Sequence, residues 1–421
     1  MFKYFKIYPI ILVFLFSCSS VIAEEVLTWQ DCIKEAAKNH PDLISAKEAV
    51  NQTEAAKSIT KSGLFPQVNG NLSVAETKVN GVKPVKDYSY GATATQLIFD
   101  GLKTIDSVKA ASENIKASQQ AYRFTSGQVR LRLRTAFVAL LRAQELIKVT
   151  DDIIKIRRGN YELITLRYQS GLEHKGALLT AEANLSEALF EMSQAKRDLE
   201  LAQRQMTKEM GRKEFIPMSV KSDFTVIDSA LTKPDFEILA KDNPSLQQVI
   251  DQENAAKFNL KSVYGNFYPT LSGNAGADKF DSRWPVKASE WNLGLAASVP
   301  LFEGGLRFAE VSQAKAQLNQ LIASERSTKD GIVVGLEQAW VNLQDAIETV
   351  GVQTKQLAAT EERAKIAEAQ YSIGTLTYDN WTIIEDNLVS AKRAYLNAQS
   401  NALITEANWI QAKGEVLEYA Q

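Results

Sequence analysis

The stretch WNLGLAASVPLFEGG, residues 291–305, places Trp291, Leu293, Leu295, Ala297 and Val299 at alternate positions, with Asn292, Gly294, Ala296 and Ser298 between them. A period of two belongs to a strand, so one face is greasy and the other small and wet. The greasy face requires an apolar neighbour, and a soluble sandwich core and lipid both qualify. Pro300 then ends the ladder, and Gly304 and Gly305 let the chain swing out of the strand, whether as ordinary turn residues or as a hinge.

The setting of this strand is written twice. Sliding the sequence along itself gives matches at a constant offset of 203 residues: Pro41 with Pro244, Pro66 with Pro269, Gly70 with Gly273, Gly91 with Gly294, Phe99 with Phe302, Gly101 with Gly304, Tyr168 with Tyr371, Gly171 with Gly374. A fixed register held from end to end means one structural unit duplicated. The reading divides the chain into a signal segment (1–23), a first repeat (24–213), a connector (214–234) and a second repeat (235–421).

All ten prolines lie outside residues 85–216 and 301–421, which leaves those stretches free to be helix. Leu336, Leu343 and Val350 form one heptad series and Val333, Trp340 and Ile347 another, the seam of a coiled coil. Leu133, Leu140 and Ile147 repeat it in the first copy, with Arg130 and Gln144 interrupting. Each repeat then reads as a helix (42–64; 235–264), two strands, a long helix (102–169; 305–372), a turn and a second helix (177–210; 380–413). A rod of some 65 residues spans about 100 Å, which no compact globule needs.

The strands repeat in register. Tyr88, Tyr90, Ala92, Ala94 and Gln96 match Trp291 through Val299, and Val68, Gly70, Leu72 and Val74 match Leu271, Gly273, Ala275 and Ala277. Four strands, apolar on one face and small or polar on the other, fit the dyad pattern of a transmembrane barrel. Tyr88, Tyr90, Trp284 and Trp291 stand where an aromatic girdle would. Tyr88, Tyr90, Trp291, Leu293 and Leu295 are thus expected to face lipid. Four strands cannot close a barrel of about eight or more, and open edges in lipid leave backbone groups unpaired, so several chains must share one barrel.

With these features the chain resembles the TolC-like outer-membrane efflux family. The resemblance rests on the repeat, on FDG (99–101) and PLFEGG (300–305) at the strand-to-helix corners, and on RYQSG (167–171) and YSIG (371–374) before the hairpin turns. It implies a mainly α fold with a small β part: a long coiled-coil tunnel joined to a shared 12-stranded trimeric transmembrane β-barrel. A homotrimer in the outer membrane, with a large periplasmic portion, is implied. So are docking to a periplasmic adaptor (membrane fusion) protein, a proton-driven or ATP-driven inner-membrane pump, and passive export of drugs, metals, toxins or polypeptides. Adaptor contact is expected at the turns, through Gly171, Leu172, Glu173, Gly374, Thr375 and Leu376, which equally cap helices. The family's second turn carries an arginine after Gly-Thr and two acidic residues a turn apart. Here Tyr371 keeps the tyrosine, but the arginine position is Leu376 and the acidic ones are Asn380 and Ile383. Asp379, Glu385 and Asp386 are the substitutes for a charged ring at the periplasmic constriction, the alternative being solvated helix surface. Gly101, Pro300, Gly304 and Gly305 are the corner residues.

MFKYFKIYPIILVFLFSCSSVIAEE opens with Lys3 and Lys6 ahead of an apolar run, a secretory signal. Cleavage after Ala23 competes with a lipoprotein reading of Leu15-Phe16-Ser17-Cys18, in which residues 1–17 leave and Cys18 is acylated. Forty-eight basic against fifty acidic residues leave no field for nucleic acid. Two cysteines, Cys18 and Cys32, make no disulfide framework, and no later stretch is apolar enough for a spanning helix. His40 and His174, far apart, read as structural and solvated respectively, so no catalysis, metal or cofactor is expected. Arg130, Arg132 and Arg134 point in different directions from one helix and read as interhelical salt bridges before a polar tunnel lining. The rival class is a periplasmic coiled-coil adaptor or structural tether without a membrane barrel, which would carry one hairpin, not two with a strand pair each.

Overall fold

The computed structural model describes residues 25–81, 83–222, 224 and 232–417; the signal segment and Cys18 lie outside them. The first repeat runs β1 (Glu25–Leu27), α1 (Trp29–Asn39), α2 (Pro41–Ser62), β2 (Gln67–Thr77), β3 (Val85–Phe99), α3 (Lys103–Gln169), α4 (Lys175–Glu209) and β4 (Met218–Val220). The second runs α5 (Phe236–Lys241), α6 (Pro244–Gly265), β5 (Thr270–Asp281), β6 (Ala288–Ser298), α7 (Leu306–Ser372) and α8 (Tyr378–Ala412). The starts of α2, β2, β3, α3 and α4 return 203 residues later as those of α6, β5, β6, α7 and α8.

The long helices α3 and α7 each hold 67 residues, about 100 Å of rod. Each is flanked by two shorter helices: α2 and α4 lie along α3, α6 and α8 along α7, and α6 and α8 also join α3, so the copies interlock. The heptad positions are the buried ones. Leu133 and Leu140 sit in one core, and their counterparts Leu336 and Leu343 in another with Phe236 and Trp409. On α4, Ala177, Ala181, Ala188, Ala195 and Ala202 are all buried, a ladder of small side chains at spacings of four and seven that lets α3 come close.

The expected single helix over 235–264 is two, broken at Asp242-Asn243. Pro244 cannot continue a helix but suits its first turn, and Asn243 caps α6 by accepting from Ser245 N at 2.9 Å. His40 does the same for α2, its Nδ1 accepting from Asp42 N at 3.1 Å. The three arginines of α3 each meet a carboxylate on a different element: Arg130 with Glu415 at 3.2 Å, Arg132 with Glu209 at 3.3 Å and with Asp42, Arg134 with Glu406 at 3.9 Å.

At one end of the rods β2-β3-β5-β6 form a four-stranded antiparallel sheet with β2 and β6 as open edges. Far from it, β1 pairs in parallel with β4, tying the start of the described chain to the segment after α4.

Candidate functional site

The register decides which side chains share a face of the sheet. Across β2 and β3, Val68 pairs with Ala94, Gly70 with Ala92, Leu72 with Tyr90 and Val74 with Tyr88. Ala92 and Ala94 continue to Ala277 and Ala275 of β5, and these to Trp291 and Leu293 of β6, with Gly273 opposite Leu295. This face is therefore apolar across all four strands at these positions, and toward the loops it turns charged, with Lys279 opposite Tyr90, Asp281 opposite Tyr88 and Glu76 opposite Lys86. The other carries Asn69, Asn71, Ser73, Thr93, Thr95, Ser272, Asn274, Asp278 and Asn292. Trp291, Leu293 and Leu295 are 79%, 79% and 74% exposed, so these side chains of the greasy face are left uncovered by the described residues. Tyr88 and Tyr90 both stand 6.4 Å from Trp284, centroid to centroid, at the loop end of the sheet. No described helix is long and apolar enough to cross a membrane.

The corners differ between copies. Leaving β6, Gly304 and Gly305 take φ of 60° and 87°; leaving β3, Gly101 and Leu102 take 69° and 67°. Leu102 is thus in the left-handed region where its counterpart is glycine, a cost of about 1–2 kcal/mol. Gly101 also has no room for a side chain, since a Cβ would lie 2.6 Å from Gly265 O. Asp100 offsets the turn by accepting from Thr104 N at 2.9 Å. Pro300 lies just past the last residue of β6.

At the far end, both hairpin turns close in the same way. Gly171 (φ 72°) donates to Tyr168 O and Leu172 N to Arg167 O; Gly374 (φ 76°) donates to Tyr371 O and Thr375 N to Gln370 O. These are Schellman closures, in which a left-handed residue lets two helix-end carbonyls be satisfied. Gly171, Leu172, Gly374 and Thr375 are exposed, Glu173 is half-buried, and Leu376 packs partly into the cluster beneath. His174 is exposed and also caps α4, accepting from Ala177 N at 3.1 Å.

Beneath the turns Ile164, Ala177, Ala181, Ala367, Tyr371, Tyr378 and Trp381 form a closed cluster drawn from all four tip helices. Tyr371 stacks on Trp381 at 4.4 Å, and the Arg167 guanidinium sits 4.7 Å above the Tyr371 ring. Burial, with Glu173 nearby, pushes the Tyr371 hydroxyl up to about 12. Among the described residues, five of the seven buried side-chain polar atoms without a hydrogen-bond partner lie here: Arg167 Nε, Glu173 Oε2, Tyr371 Oη, Trp381 Nε1 and Glu385 Oε2. A buried polar group left without a partner costs free energy.

The acidic candidates separate. Asp379 is exposed. Asp386 bonds the buried Arg157 of α3, joining the two repeats. Glu385 is buried on the α8 stripe with Trp381, Leu388 and Lys392, lining a cleft of about 550 Å³ between α3, α7 and α8. Burial pushes its carboxyl up, against Arg157, with Glu368 adding to the rise and Asn160 and Trp381 opposing it. Sequence reasoning did not select Arg157, Arg167, Tyr378 or Trp381. The available signal was the run Tyr371, Tyr378, Trp381, aromatics straddling a glycine turn. Among the described residues no group of His, Cys, Asp and Glu could hold a metal ion.

Two interlocked hairpin repeats with a shared strand sheet at one end define the class: duplicated helical-rod subunits that carry an open four-stranded antiparallel sheet. The model of the family described as "Outer membrane efflux protein" matches residues 32–212 and 237–415, and the chain belongs to that family. Among its relatives, outer membrane efflux protein BepC of Brucella suis biovar 1 (strain 1330) is 21% identical, covering 96% of this chain and 90% of the relative. Outer membrane protein TolC of Escherichia coli (strain K12) is 24% identical over 91% of this chain and 82% of its own length. In fold, the chain is similar to the open-state MtrE outer membrane channel of Neisseria gonorrhoeae, with a TM-score of 0.81 at 18% identity, over 92% and 89% of the two chains.

Proposed function

We propose that this chain is the outer-membrane channel-tunnel of a tripartite efflux or type I secretion system, a passive conduit with no reaction of its own. The observation that carries the reading is the sheet: four strands in one register, an apolar band across one face, two open edges, at the end of rods of about 100 Å. Three copies supply twelve strands and pair every open edge, β6 of one copy beside β2 of the next, which removes the unpaired backbone that lipid does not tolerate. The long helices then continue the barrel as a periplasmic tunnel.

In this reading the turns at Gly171–Glu173 and Gly374–Leu376 meet the tips of a periplasmic adaptor, because they are the breaks at the far end of the rods. An inner-membrane pump, proton-driven or ATP-driven, supplies energy and selects cargo. Tyr371, Asp379, Glu385 and Asp386 belong to the constriction in two ways: Asp379 as an exposed charge, the others by holding the four tip helices together. Fractionation tests the whole. Alkali-resistant residence in the outer membrane and a trimer on mild gels support the channel; release with periplasmic contents supports the adaptor or tether.

A further inference from the structure

The two ends of the first repeat bear on how the chain is processed. Leu27 is buried and pairs with Val220, whose N–H and C=O both bond the Gln144 side chain of α3, at 3.0 and 3.2 Å. Glu25 is held by Arg212 at 2.7 and 3.2 Å, and Arg212 also grips Glu35 of α1 at 2.6 and 2.7 Å. Trp29 packs edge-on against Phe137 of α3 at 5.5 Å. The start of the described chain is therefore fixed to the middle of α3.

The distance from there to the sheet follows from the helix itself. α3 leaves the sheet corner at Lys103, and Gln144 lies 41 residues along it, about 60 Å at 1.5 Å per residue. The nearest level that can be assigned to Glu25 is that of Arg132, which meets Glu209 three residues before Arg212. Arg132 is 29 residues from Lys103, about 45 Å. The parallel path along α2, 22 residues from the first repeat's helix break to the strands, alone covers about 33 Å.

Cys18 precedes Glu25 by seven residues, which reach about 25 Å when fully extended. A lipid on Cys18 would have to sit in the leaflet at or beyond the corner, about 45 Å away on the same estimate. We infer that Cys18 is not the membrane anchor of this protein: the mature chain starts after Ala23. Acylated Cys18 would be stranded some 20 Å short of the bilayer, or would pull β1 off β4 and break the Arg212 clamp.

The inference rests on the reading of the sheet as membrane-embedded, and intact mass of the protein taken from alkali-washed outer membranes tests it. The expected mass is that of an unmodified chain beginning at Glu24, and Cys18→Ser should leave the amount in that fraction unchanged. A mass with a diacylglyceryl and amide-linked acyl group on Cys18, in protein that resides in the outer membrane, overturns the inference alone. Absence of the protein from that fraction overturns the membrane reading and the inference with it.

Discussion

Tyr371 and Trp381 lie face to face across the turn between α7 and α8, their ring centroids 4.4 Å apart and their planes 12° from parallel. Both are 1% exposed, and the Arg167 guanidinium covers the outer face of Tyr371. The stack is the centre of the tip. Trp381→Ala removes it and leaves a cavity worth about 3–5 kcal/mol. Single-channel conductance in planar bilayers should rise for Trp381→Ala. Tyr371→Phe should leave it unchanged, because the hydroxyl is buried without a partner and its loss costs nothing.

Glu385 gives the tip a pH dependence of definite sign. Its folded carboxyl titrates above the ordinary 4.5, chiefly through burial, so the folded tip holds the proton more tightly than an unfolded one. Tip packing is accordingly strongest below that ordinary value, weakens as pH rises through the raised one, and then levels off. Amide hydrogen exchange over residues 376–392 should quicken beyond its intrinsic pH dependence across that range in the wild type. In Glu385→Gln the extra slope should vanish.

Arg157 and Asp386 tie α3 to α8 and so tie one repeat to the other. Arg157 is buried while the Asp386 side chain is 56% exposed, which lets solvent screen the pair. Asp386→Asn is expected to cost about 1 kcal/mol and to raise the open fraction of channels modestly. Raising salt should shrink the difference from wild type; a difference that grows with salt would contradict the pairing.

The left-handed Leu102 marks a strain that the second repeat lacks. Leu102→Gly is expected to be neutral to about 1 kcal/mol stabilising, while Gly305→Leu destabilises by about as much or more, read as trimer melting temperature. Equal and opposite shifts are not expected, because glycine also adds freedom to the unfolded chain.

Much of the fold was legible because its signals are periodic. Proline-free stretches became α3 and α7, and Leu133, Leu140, Leu336 and Leu343 went to the cores that their heptad spacing required. Strand alternation placed Leu72, Tyr90, Leu293 and Leu295 on one face. The helix break before Pro244 was missed although the first repeat's helix was started just past its counterpart Pro41; Asn243-Pro244 carries the same cap-and-proline signal as His40-Pro41. The tip was read poorly for a different reason. Its partners come from four helices distant in sequence, as with Arg157 and Asp386 or Ile164 and Trp381, and no local spacing encodes such meetings.

The central claim is that the greasy face of β6 meets lipid while its small, polar face lines a pore. Single cysteines at positions 291 to 298, in a chain lacking Cys32, test it residue by residue in native outer membranes. The account predicts that 291, 293 and 295 react with a lipid-soluble maleimide and resist an impermeant charged one, and that 292, 294, 296 and 298 do the reverse. Labelling of 292 by the lipid-soluble reagent with 293 protected, or no alternation along the strand, would contradict it.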